Sequence, residues 1–291
     1  MELIRGLHNL QPRHRGCVAT IGAFDGVHRG HQAVLGRVLR EARALELPAV
    51  VIVFEPLPRE YLHPEEAPAR LMDFREKFQA LAALGVDRLL RIRFDESVRT
   101  MSAAAFVEKI FVSGLGVKRL VLGDDFRFGR GREGDYDFLE AEGVRHGFDT
   151  LSTDTLALEG DRVSSTRVRE ALADGELELA AELLGRPYAI TGRVVLGRQL
   201  GRTLGAPTAN VELNRLKAPL SGVFTVRVNG GGLAEAPGVA NVGTRPTVND
   251  GTRANLEVHL LEGEPELYGR RIEVQFLHRL RPELKFDSLE D

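Results

Sequence analysis

Apolar runs and helically spaced stretches alternate through the first half of the chain. Residues 18–21 form a short apolar run, and residues 30–45 then read as a helix. Residues 49–54 are a solid β-branched run with no polar interruption, as expected of a strand buried on both faces. Helical spacing returns at 74–84 and 103–111, with apolar runs at 88–92 and 119–122. This β-α-β-α order predicts a parallel sheet with helices on its faces. Ligands of such sheets bind beyond the carboxyl ends of the strands, so the loops after Ile21, Phe54 and Leu122 are where chemistry is expected.

Residues 164–184 are again helical, with Gly175 separating two helices. After Gly185-Arg186-Pro187 the period changes. Strand-like runs at 188–195, 222–228, 239–242, 255–261 and 272–276, divided by Gly, Pro and Asn turns, suggest an antiparallel all-β barrel or sandwich, of which we take the barrel. The expected architecture is an α/β domain over 1–185 followed by a β-barrel domain over 186–291. No internal repeat or low-complexity tract interrupts it.

The length of 291 residues suits two domains. No run approaches the ~20 apolar residues of a membrane span, and the first sixteen residues lack the apolar core of a signal peptide. The single cysteine, Cys17, excludes a disulfide framework and a cysteine-based zinc site; a lone thiol at the head of an apolar run reads as a buried strand residue and fits a reducing cytoplasm. A net charge of −3 argues against a surface built for nucleic acid. The 31 glycines gather in short segments that resemble phosphate loops, which points to small-molecule nucleotide chemistry. No pattern speaks to oligomeric state.

The first such segment joins the first strand to the first helix: Gly22-Ala23-Phe24-Asp25-Gly26-Val27-His28-Arg29-Gly30-His31. Gly22 and Gly26 let backbone amides approach a ligand, and His28 and His31, three apart, share a face at the helix start. Two imidazoles there can cradle a polyphosphate and donate hydrogen bonds as charge builds on a leaving group. Ordinary surface histidines and an i, i+3 zinc pair are the competing readings, the latter with no evident third ligand. A second segment, Ser164-Ser165-Thr166-Arg167-Val168-Arg169, opens a helix; a serine can cap it while Arg167 or Arg169 reaches phosphates, although serine before a helix is also common capping chemistry. Phe54-Glu55-Pro56-Leu57-Pro58 and Gly123-Asp124-Asp125-Phe126-Arg127-Phe128-Gly129 follow two further strands, and their aromatics and prolines suit either a flat ring ligand or core packing.

The second half carries its own set. Gly197, Gly201 and Gly205 punctuate a loop that is not a P-loop but permits close backbone approach to phosphates, and Thr208 and Asn210 offer hard oxygens around Mg²⁺. In residues 255–260, Leu256, Val258 and Leu260 share one face, which leaves Glu257 and His259 on the other. Glu257 is either a base for an attacking hydroxyl or a solvent-facing strand residue.

Together, G-A-F-D-G-V-H-R-G-H, F-E-P-L-P, G-D-D-F-R-F-G, S-S-T-R-V-R, G-R-x-L-G-A-P-T-A-N, N-V-G-T-R-P-T and K-F-D-S-L resemble the bacterial bifunctional riboflavin kinase/FAD synthetase family, in order and over nearly the whole chain. The resemblance implies a C-terminal kinase that phosphorylates riboflavin to FMN with ATP and Mg²⁺. Thr208 and Asn210 would hold the Mg-nucleotide there, and Glu257 would be the base on the ribityl hydroxyl. It implies an N-terminal adenylyltransferase of the nucleotidylyltransferase superfamily that converts FMN and ATP to FAD and pyrophosphate. Gly22, Phe24, Asp25, Gly26, His28, His31, Ser164, Thr166 and Arg167 would bind its ATP, and Phe54, Pro56, Pro58, Asp125 and Phe128 its flavin.

Two departures stand out. Position 125 is Asp where some relatives have Asn, so it accepts hydrogen bonds and does not donate them. The chain stops just after K-F-D-S-L, where the family continues into a helix beside the kinase flavin site; a missing helix would weaken the kinase and spare adenylylation. The rival readings are a simpler nucleotidylyltransferase acting on a pyridine mononucleotide, which P-T-A-N argues against, and a binding module without turnover, which the retained His28, His31, Asn210 and Glu257 argue against.

Overall fold

The computed structural model describes residues 1–123, 126–197, 207–247, 251–263 and 265–283, with the backbone alone at 244–247 and 251–253. The chain divides into two compact units. The first comprises Met1–Pro68 and Lys77–Val163, the second Ala69–Glu76 and Ser164–Asp291.

In the first unit, β1 (Glu2–Arg5), β2 (Cys17–Ile21), β3 (Ala49–Glu55), β4 (Arg88–Arg93), β5 (Val117–Gly123) and β6 (Asp149–Thr153) form one parallel sheet in the order β1-β4-β3-β2-β5-β6. The helices are α1 (Arg29–Ala44), α2 (Pro58–Leu62), α3 (Phe74–Ala83), α4 (Glu96–Arg99), α5 (Ala103–Phe106), which runs into a π-helical turn at Val107–Val112, and α6 (Tyr136–His146). A small hairpin, β7 (Ala157–Leu158) and β8 (Asp161–Arg162), follows. β2 is buried on both faces: Cys17, Ala19 and Ile21 join the larger core with Phe106, Ile110 and Leu120, while Val18 packs with Val38, Ala42 and Val121. Burial pushes the Cys17 thiol up to about 12 against the weaker pull of Arg88, so it is an inert packing residue.

Among the elements of this unit outside the expected pattern, β1, β6 and α6 are the most telling. β1 and β6 are the two edge strands, short and mixed in polarity, because an edge strand lacks the two-sided burial that produces an apolar run. α6 carries Gly143 in its interior, which weakens its helical signal; Asp135 caps it by accepting from the Phe138 amide at 3.0 Å.

The second unit contains α7 (Ser165–Asp174), α8 (Leu177–Leu184) and six antiparallel strands: β9 (Ala189–Val195), β10 (Ala209–Glu212), β11 (Gly222–Gly230), β12 (Leu233–Thr247), β13 (Gly251–Leu260) and β14 (Arg271–Arg281). They close as a barrel in the order β10-β13-β12-β11-β14-β9, with β9 pairing back to β10. Phe224, Val226, Ala240, Leu256, Val274 and Phe276 fill it. β12 runs well beyond the apolar 239–242 and passes Pro237, next to the last β12–β13 pair, Gly238–Leu260, where the Pro237 carbonyl accepts from the Leu261 amide at 3.0 Å and the missing N–H falls at the end of the ladder.

Residues 69–76 are bound to the barrel unit by a buried polar network. Arg215 donates to the carbonyls of Arg70 (3.3 Å) and Leu71 (3.1 Å) and to the Tyr188 hydroxyl (3.0 Å), and it pairs with Glu76. Glu76 also accepts from the Thr191 amide at 2.6 Å and forms a reciprocal capping box with Asp73 at the start of α3. Burial raises the Glu76 carboxyl, although Arg215 opposes the shift. Removing the guanidinium strands that carboxylate, so Arg215→Met should cost about 3–5 kcal/mol in denaturant unfolding. A change below 1 kcal/mol would show that the pair is dispensable.

Candidate active sites

In the first unit, the chain leaves β2 on one side toward β3 and later returns on the other side as β5. The C-terminal ends of β2 and β5 therefore flank the switch point, where open α/β sheets bind ligands. The loop there is strained. Phe24 (φ 47°) and Val27 (φ 43°) are left-handed without being glycine, and Gly26 (φ 84°) lies between them. Backbone of this kind persists where surroundings over-determine it, commonly at binding sites. Asp25 is buried.

His28 is the N-cap of α1, and its Nδ1 accepts from the His31 amide at 3.2 Å. With Nδ1 accepting, a neutral His28 ring carries its proton on Nε2. The two rings stack at 3.6 Å and 18°, and Phe24 lies 5.0 Å from His31. Gly30 lies between them in a tight space, where a Cβ would sit 3.1 Å from the His28 ring and 3.2 Å from the Val163 carbonyl. His31 Nδ1 is enclosed and has no hydrogen-bond partner. Burial pushes this imidazole well below its usual range, with the positive charges of His28, Lys77 and Arg162 acting in the same direction. No group of three or more metal-ligating side chains occurs among the described residues.

Phe54, at the end of β3, lies 6.2 Å from Phe106, which lies 5.2 Å from Phe128. The two expected flavin-site rings thus belong to one aromatic cluster. Phe128 is buried and flanked by Phe126 and Phe138, so packing accounts for it; Phe126, stacked on it at 5.5 Å and only half-buried, is the more accessible ring. Pro56 is exposed and Pro58 opens α2. Asp125 lies outside the described residues. Phe94 and Tyr61 extend the cluster and had no motif to announce them.

In the second unit, Ser164 caps α7 by accepting from the Arg167 amide at 3.2 Å, and Thr166 and Arg167 occupy the first turn. The competing reading of this motif as a helix cap therefore holds, and an anion-binding role would be additional to it.

On the barrel, Asn210 of β10, Glu257 of β13 and Asn241 of β12 are at one register, side by side on the outer face, because Val211, Leu256, Val258, Ala240 and Val242 point into the core. Asn255 donates to Glu257 Oε1 at 3.0 Å. Asn210 Oδ1 is buried without a hydrogen-bond partner, and Gly197 packs so closely that a Cβ there would meet the amide at 2.2 Å. A cleft of about 390 Å³ includes Gly197, Asn210, Asn255, Asn214 and Arg215. A smaller one of about 190 Å³ places Thr208 beside Pro207, Leu267 and Tyr268. His259 donates from Nδ1 to the Pro207 carbonyl at 2.9 Å and so holds the start of P-T-A-N. Gly201 and Gly205 lie outside the described residues.

A nucleotidylyltransferase-like sheet and a barrel with a carboxylate beside an unpartnered amide oxygen define a transferase with two nucleotide-handling sites. Two family models match: FAD synthetase over residues 10–167 and riboflavin kinase over residues 184–291. The chain is 54% identical over 290 residues to a bifunctional riboflavin kinase/FMN adenylyltransferase of Pseudomonas fluorescens, and 52% identical over 292 residues to that of Escherichia coli K12. In each case all of this chain and 93% of the relative are covered. A solved structure described as a macrolide-efflux protein from Streptococcus pneumoniae superposes with a TM-score of 0.82 at 30% identity, covering 100% of this chain and 94% of that one. The efflux description stays with that protein; among the described residues, no helix here is long and apolar enough to cross a membrane. The chain belongs to the bifunctional riboflavin kinase/FMN adenylyltransferase family.

Proposed function

We propose that the chain makes FAD from riboflavin in two ATP-dependent steps, with the residue roles that follow and with the division of labour at 1–185 and 186–291. In the first step Glu257 takes the proton of the ribityl hydroxyl as its oxygen bonds to the γ-phosphorus of ATP and ADP leaves. The observation that carries this reading is the polar row on the barrel, in which a carboxylate oriented by Asn255 adjoins a buried amide oxygen with no partner.

That orphan oxygen suits a hard cation. Asn210 and Thr208 would hold Mg²⁺ together with the nucleotide phosphates, and the ion would supply charge neutralisation on those phosphates. The chain's own residues bind the nucleotide, fix the amide and carry the proton.

In the second step an FMN phosphate oxygen bonds to the α-phosphorus of ATP and pyrophosphate leaves. The nucleophile is already an anion, so the protein's task is to align it and to meet the leaving charge. The stacked imidazoles of His28 and His31 serve that task. Gly22, Phe24, Asp25 and Gly26 shape the same loop, and we assign phosphate contact to Ser164, Thr166 and Arg167. The aromatic cluster around Phe54 supports a flavin subsite. Small molecules are the only partners this chemistry requires, and the buried lone cysteine fits a reducing cytoplasm.

The test is to incubate the purified chain with riboflavin, ATP and Mg²⁺ and to resolve the flavins by chromatography. FMN and then FAD should accumulate. FAD formed only from added FMN would remove the kinase step, and no conversion of either flavin would remove both.

A further inference from the structure

Lys77 belongs to none of the motifs above, yet among the described residues it is one of the largest side chains that are fully buried. It projects from α3 and pairs with Glu55, the last residue of β3, at 3.4 Å. Both Lys77 and Glu55 belong to the first unit, as do His28, His31 and Arg162. Desolvating an ammonium is costly, and a methionine would fill the same volume without that cost. The cation is also placed where it matters. Its partner sits at the carboxyl end of a strand adjacent to β2, and its charge bears directly on His31.

We propose that Lys77 is a positioning residue of the adenylyl-transfer site: a fixed buried cation, tethered by Glu55, that draws the nucleotide polyphosphate onto the His28–His31 pair. This rests on the reading of that pair given above. The groups whose charge bears on His31 are His28 from the cap of α1, Lys77 from α3 and Arg162 from β8. All three are cationic when protonated, which suits a tri-anionic or tetra-anionic ligand better than a neutral one. Burial, and then the charges of His28 and Lys77, oppose protonation of His31, which favours a ring with a lone pair and a single N–H.

A merely structural ion pair would behave differently, and the pair can be replaced as a unit. In Lys77→Met with Glu55→Gln, neither partner leaves the other buried and charged, and such exchanges are often neutral for folding. We expect this double variant to keep its riboflavin kinase activity and melting temperature, while kcat/KM for ATP in FMN adenylylation falls at least about tenfold. Removing the Lys77 charge eases protonation of His31, so the acid limb of that reaction should move to higher pH. Lys77→Arg, which keeps the charge, should recover part of the loss. Adenylylation at the parent rate with an unmoved acid limb would overturn the proposal, as would a parallel loss of adenylylation, kinase activity and melting temperature. His31→Ala is measured alongside. If it leaves adenylylation intact, the reading of the histidine pair fails; if it abolishes adenylylation while the Lys77 variants do not, only the role of Lys77 fails.

Discussion

Glu257→Gln should stop FMN formation and leave the conversion of supplied FMN to FAD close to that of the parent chain. The glutamine keeps the shape of the side chain and can still meet Asn255, so the barrel should fold and the substrate should bind. What is lost is the group that takes the proton, and general-base contributions are about 10²–10⁴-fold in rate. KM should change much less than kcat, because the carboxylate acts chiefly in the transition state. The competing view, a solvent-facing glutamate on a strand, predicts no change in either constant. Its position in the row with Asn210 and Asn241 is what separates the two views.

His28→Ala combined with His31→Ala should show the opposite pattern: riboflavin is still phosphorylated, but the product stops at FMN. Loss of one preorganised donor commonly costs about 10²–10³-fold in kcat, so the pair should lose at least about 10²-fold. His28 also caps α1, and its removal costs roughly 1 kcal/mol of stability, which a melting curve would separate from the catalytic loss. Equal damage to both activities from either set of variants would mean that the two sites are not distinct.

Much of the architecture is legible in the sequence because burial writes a period into it. β3, buried over most of its length, appears as an unbroken apolar run, and the switch of period after Gly185 marks the start of the barrel. The edge strands β1 and β6 are absent from that pattern for the same reason, since half of their surroundings is solvent or loop. The histidine pair is legible because residues three apart at a helix start must share a face. Residues that work through distant partners are not. Asn255 matters because it meets Glu257, His259 because it meets the Pro207 carbonyl, and Arg215 because it reaches residues 70–76 over some 140 positions of chain. Lys77 reads as one more polar residue in an amphipathic helix until its burial is seen. The aromatic loop is legible only in part: Phe54 and Phe126 keep an accessible ring, whereas Phe128 is taken up by packing.

On this reading one chain holds two separable ATP chemistries joined by FMN. The most direct measurement gives riboflavin, ATP and Mg²⁺ to Glu257→Gln alone, to His28→Ala with His31→Ala alone, and to an equal mixture of the two, and follows the flavins by chromatography. Riboflavin should stay unreacted in the first, FMN should accumulate in the second and FAD in the mixture, as FMN released by one protein is adenylylated by the other. FAD formed by either variant alone, or none in the mixture, would contradict it.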